Sequence, residues 1–146
     1  MKKINSIFLL VLIGLLFYAC RQKLPVVSEV KDKDLTMQVK ALKNASGDGA
    51  SLDYAVRLLP GKALEATLDG KTKTALCYGM DSCFYLLAGG QKVYSAIVQP
   101  IANGVSGSFE YMLSFVVDDL KGGKWSLVYQ DRYLNHKKYT LSLTEE

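Results

Sequence analysis

Along most of the chain, apolar and polar residues take turns. Leu35, Met37, Val39 and Ala41 alternate with Thr36, Gln38 and Lys40, and Leu52, Tyr54, Val56 and Leu58 with Asp53, Ala55 and Arg57. The same two-residue period runs through 64–68, 109–117, 125–129 and 139–143, and Phe109, Tyr111, Leu113, Phe115 and Val117 are its clearest inward set. Successive side chains of a strand point to opposite faces, so this pattern predicts half-buried strands. Short apolar or β-branched runs at 72–78, 83–87 and 93–98 predict further strands, and a first one is expected near 24–30. Turn chemistry separates the runs: Ser46-Gly47-Asp48-Gly49, Asp69-Gly70, Ala88-Gly89-Gly90, Asn103-Gly104 and Gly122-Gly123. Strands this short, with turns about every ten residues, predict an all-β antiparallel sandwich. Beyond residue 20 no stretch keeps a 3.6-residue period, so no helix longer than about two turns is expected. The stretch 96–105, broken by Pro100, is expected to cross between the sheets.

The N-terminus breaks the alternation. Met1-Lys2-Lys3 is followed by an unbroken apolar run over 7–18, which ends in Ala19-Cys20. The run is short of the roughly 20 residues a helix needs to span a bilayer. It matches the roughly 7–15 residues of a signal-peptide core, with small Ala19 at the cut site. An uncleaved anchor or a buried core helix are the alternatives. A core helix would carry polar positions on one face, and this run has none. Phe17-Tyr18-Ala19-Cys20 resembles the lipobox of bacterial lipoproteins, Ala19 and Cys20 matching, with Leu16 one place early. Looser boxes and a Lys-Lys-Ile start are similar to those of Bacteroidota lipoproteins. The resemblance covers about 20 residues. It implies residues 1–19 as a removed signal peptide, a lipidated Cys20, and 20–34 as the lipid-bearing tether, with 35–146 left as a single sandwich domain. Several acyl chains, at about 0.8 kcal/mol per buried methylene, anchor firmly. Arg21-Gln22-Lys23 carries neither the Asp that resembles an inner-membrane retention signal nor an acidic surface-export run. The expected place is the outer membrane, facing the periplasm.

Composition narrows the remaining classes. At 146 residues, 49% hydrophobic and 22% charged, the chain suits one folded domain and excludes disorder or a charged tail. Its net charge is +4. Without Lys2 and Lys3 the eighteen basic residues fall to sixteen against fourteen acidic ones. Nucleic acid is therefore not an expected partner, because its binding needs clustered basic charge. Trp125 on one strand, with tyrosines on its neighbours, resembles immunoglobulin-like domains. Both Cys77 and Cys83 precede Trp125, so the antibody Cys…Trp…Cys order is missing and the likeness implied is one of architecture.

Candidate chemistry is sparse. Cys77 and Cys83 flank Tyr78-Gly79-Met80-Asp81-Ser82; across a hairpin in an oxidising compartment they are a disulfide candidate. Two buried, reduced thiols are the alternative. His136, the only His, sits in a polar turn, where a solvated side chain is expected rather than a triad member. Asp118-Asp119 lacks the alternating ligands of a calcium loop, and no Gly-x-Ser-x-Gly or phosphate-binding loop occurs. No cofactor or metal is expected. Tyr94 and Tyr133 fall outside the apolar phase, and exposed tyrosines can anchor a partner or stack on a sugar. The expected function is a non-enzymatic, lipid-anchored binding or scaffold protein of the cell envelope, with a protein partner there, such as an accessory subunit of an envelope-spanning complex. A small-molecule or glycan binder is the alternative.

Overall fold

A computed structural model of the chain describes residues 27–42, 51–116, 118 and 124–144. The N-terminal segment with Cys20, and the Ser46–Gly49 and Gly122-Gly123 turns, lie outside the described residues. The described residues form nine strands: β1 (Val27–Lys31), β2 (Leu35–Leu42), β3 (Ser51–Pro60), β4 (Phe84–Ala88), β5 (Gln91–Tyr94), β6 (Ile97–Ile101), β7 (Phe109–Val116), β8 (Lys124–Gln130) and β9 (Lys138–Thr144). They make two antiparallel sheets, ordered β1-β2-β3-β7-β6 and β5-β4-β8-β9. The architecture is an all-β sandwich. The expected first strand belongs to it, since β1 pairs with β2 from Val27↔Lys40 to Lys31↔Thr36.

The alternating residues pack as their period requires. Leu35, Met37, Val39, Tyr54, Val56, Leu58, Tyr111, Leu113 and Phe115 of the first sheet face Phe84, Leu86, Trp125, Leu127 and Tyr129 of the second, all in one buried cluster. Phe84 sits centrally, its ring 5.0 Å from that of Tyr129 and 5.5 Å from that of Tyr111. The Trp125 indole N–H donates to the Tyr54 hydroxyl at 3.0 Å, joining β8 to β3 across the core. Buried indoles and phenols need such partners.

Two expected strands are helices. Residues 64–68 and 72–78 fall in or beside α1 (Lys62–Glu65) and α2 (Gly70–Tyr78). Asp69 caps α2, its carboxylate accepting the Thr72 N–H at 2.7 Å. Gly79 ends it, donating its N–H to the Ala75 carbonyl at 2.7 Å. At nine residues α2 makes about two and a half turns, just over the expected limit. The crossover expected over 96–105 is confined to Ser95 and Ala96, while 97–101 is the edge strand β6, paired with β7. An edge strand tolerates Pro100, whose missing N–H interrupts no central ladder.

A polar clasp ties the β1–β2 turn to the β8–β9 loop. Lys137 Nζ donates to Asp32 at 2.8 Å and to Asp34 at 2.6 Å. The Tyr139 hydroxyl accepts from the Asn135 amide at 2.7 Å and donates to Asp32 at 3.1 Å. The Lys137 bond, aided by the Leu35 and Asp34 N–H groups, holds the Asp32 carboxyl well below the usual carboxylate range. A depressed folded pKa adds stability that is complete above the unfolded value of about 3.9 and is lost as pH falls below it. Acid unfolding is therefore expected to show a limb below about pH 4 that Asp32→Asn flattens, read by circular dichroism against pH. The clasp is solvent-exposed, so the effect should be small.

Candidate functional site

Four connections meet at one end of the sandwich. The β1–β2 turn joins the β8–β9 loop through the clasp. The β3–β4 connection carries α1 and α2. The β6–β7 loop, 102–108, faces both helices. The Tyr133 hydroxyl of the β8–β9 loop donates to the Gly79 carbonyl at the end of α2, at 2.8 Å. The Tyr111 hydroxyl donates to the Leu76 carbonyl at 2.7 Å, pinning α2 to the core. Burial raises the Tyr111 pKa, so the phenol stays protonated as that donor.

The β8–β9 loop is organised by Asp131, which is 2% exposed. Its carboxylate accepts the Tyr129 hydroxyl and the N–H groups of Tyr133, Leu134, Asn135 and His136. Burial, then the adjacent Asp131 charge, raises the Tyr129 pKa and keeps its hydroxyl a donor. His136 takes φ 59° in this wrap, with its ring exposed. Nothing in the sequence singled Asp131 out; the only sign was an Asp at a strand end before a polar turn, a frequent loop organiser.

Between α2 and the β6–β7 loop runs an apolar groove of about 450 Å³, with Leu76, Phe109 and Tyr111 among its walls and Val105 and Ile101 at its rim. Val105 is 59% exposed and Ile101 40%. Phe109 and Ser106 also line an adjoining polar recess of about 300 Å³, which holds Lys62, Glu65 and Lys73. Gly107, at φ 71°, lets the loop approach Glu65; a Cβ there would collide with the carboxylate. Both recesses fall in the size range of small-molecule sites. Among the described residues no group of three or more His, Cys, Asp or Glu is placed to hold a metal.

The expected site residues are not brought together. Tyr94, on β5, stays exposed, with its ring 5.6 Å from that of Tyr85. Tyr133 is not a free surface aromatic: it packs against the core and its hydroxyl is committed to Gly79. Asp118 is exposed, and Asp119 lies outside the described residues. The hairpin expected around Cys77 and Cys83 is absent. Cys77 is on α2, Cys83 precedes β4, and both are free thiols. Cys77 is half-buried and lines the groove; Cys83 is fully buried, and burial pushes its thiol pKa up. A thiol reagent is expected to modify Cys77 quickly and Cys83 only on unfolding, with both labelled in denaturant without prior reduction. Mass spectrometry of the peptides reads the result, and Cys77→Ser should remove the fast phase alone.

No known family, characterised protein or solved structure matches the chain.

Proposed function

We propose that the chain is a lipid-anchored, non-enzymatic binding or scaffold protein of the cell envelope. Cys20 carries the lipid at the periplasmic side of the outer membrane, and the sandwich serves as an accessory subunit of an envelope-spanning complex. The observation that carries the reading is the apolar run over 7–18 ending in Ala19-Cys20. The direction of β1 supports it. Val27 lies opposite Lys40, at the far end of β2 from the loops, and Lys31 opposite Thr36, at the near end. A tether from Cys20 thus enters at the end remote from α1, α2 and the groove. The seven Cα steps from Cys20 to Val27 reach at most about 25 Å. Such a tether holds one end of the domain near the membrane and leaves the loop end for a partner.

An immunoglobulin-like arrangement of the sandwich is part of the proposal. The order β2-β3-β7-β6 against β5-β4-β8-β9 corresponds to strands A-B-E-D against C′-C-F-G, with β1 added outside A. The Trp125–Tyr54 hydrogen bond then joins F to B, the strands an antibody disulfide joins. In variable domains the loops at this end bind ligands. The groove favours the second reading, a small-molecule-binding lipoprotein.

Cys20→Ala is the test. The substitution is expected to abolish palmitate incorporation and to release the chain from the membrane fraction. Retained labelling and retained membrane fractionation would overturn the anchor.

A further inference from the structure

We infer that the groove between α2 and the β6–β7 loop binds a single-chain anionic amphiphile, its alkyl chain along the apolar groove and its carboxylate or phosphate in the adjoining lysine recess. The inference deepens the second reading above and identifies its ligand class.

The juxtaposition of an apolar and a cationic space carries it. The groove of about 450 Å³ offers aliphatic and aromatic wall: Leu76, Phe109 and Tyr111 inside, Ile101 and Val105 at the rim. Val105, at 59% exposure, is the most exposed large aliphatic side chain among the described residues. A single apolar ligand would cover it together with its neighbours. Ser106 and Phe109 line both spaces, so the groove and the recess are immediate neighbours.

The recess selects charge. Lys62 and Lys73 enter it from α1 and α2, against the single carboxylate of Glu65. Among the described residues neither ammonium has an ion-pair partner; the ion pairs there involve Arg57 with Glu110, and Lys137 with Asp32 and Asp34. An anionic head group supplies what the two lysines lack, and a neutral one does not. Loop backbone at Gly107 seats beside Glu65, which places the carboxylate against the loop wall. A peptide partner with an apolar anchor would fill the groove but has no fixed need for a terminal anion in the recess.

Cys77 lines the groove and reports on its occupancy. Membrane fractions bearing the full chain are treated with a small maleimide, and modification of Cys77 is timed by mass spectrometry. Laurate, dodecyl phosphate and dodecanol are added below their micellar concentrations. Laurate or dodecyl phosphate is expected to slow the labelling by at least about fivefold, with dodecanol needing roughly tenfold more to match them, as two exposed charge contacts of about threefold each imply. Whichever of the two anions protects at lower concentration distinguishes a fatty-acid from a phosphorylated-lipid source. Compared with its own unliganded labelling rate, Val105→Glu should weaken protection by about tenfold or more, because it sets a charge against the alkyl chain. Lys62→Glu combined with Lys73→Glu should erase the preference for the anions. No protection by any of the three compounds, or equal protection by dodecanol, overturns the inference. So does protection that survives Val105→Glu. Membrane attachment, read separately through Cys20→Ala, is unaffected by any of these outcomes, so the anchor and the groove fail independently.

Discussion

Asp131→Ala is expected to lower the unfolding free energy by about 3–4 kcal/mol, read as a fall in the urea midpoint with the m-value unchanged. The carboxylate is 2% exposed and gathers one phenol and four backbone N–H groups. A hydrogen bond to a charged acceptor contributes about 1.5–3 kcal/mol, and a buried donor left unpaired loses about 1–3. The five donors do not sum, because the loop can open and give its peptide groups to water. The Tyr129 phenol cannot follow; it is fully buried in the aromatic stack. Asp131→Asn separates charge from shape. One oxygen of the amide still accepts, but its NH₂ turns donors toward donors, so about half the alanine loss should remain. Tyr129→Phe removes a single donor to the carboxylate and should lose about 1.5–3 kcal/mol. If Asp131→Asn matched the unsubstituted protein, the carboxylate charge would not be what folds the loop.

That loop also shows where sequence reasoning reached its limit. Strands β2, β3, β7, β8 and β9 were legible because one face of each is buried and the other wet, which writes a period of two into the residues. Helix α2 writes no period of its own. Of its nine residues only Leu76 is buried, so no apolar stripe recurs every third or fourth position. Thr72 and Thr74 add a β-branched bias to the same stretch. The signals that mark it as a helix are at its ends: Asp69 as the N-cap and Gly79 as the C-cap, each also readable as a turn residue. Misreading α2 carried the cysteines with it, since a hairpin was the premise of their pairing. The groove was illegible for a different reason. It is formed where residues of α2 meet the loop 102–108 some thirty positions later, and nothing local in either segment marks the meeting. Tyr133 looked exposed because it sits in a polar turn, yet its ring bridges two loops.

Phe84→Ala should be as damaging as Asp131→Ala, at about 3–5 kcal/mol, whereas Leu87→Ala on the same strand should change stability by less than about 0.5. The contrast follows from register. Phe84 is fully buried and packs against both Tyr111 and Tyr129, while Leu87 is 39% exposed, on the opposite face of β4. Truncating Phe84 removes the ring that bridges the two sheets, and a well-packed core closes only partly over the cavity left behind. The aromatic contacts add about 0.5–1.5 kcal/mol beyond the area they bury. Leu87 lacks such neighbours in the core cluster and leaves water where it was. Slipping β4 by one residue against β8 would exchange the faces and reverse the ranking. Urea titrations of the two variants therefore test the pairing Phe84↔Tyr129 and Leu87↔Ser126 directly. Equal losses, or a larger loss at Leu87, would mean that β4 turns its other face to the first sheet. Tyr111 would then lose its neighbour, and with it the seat that holds α2 and one wall of the groove.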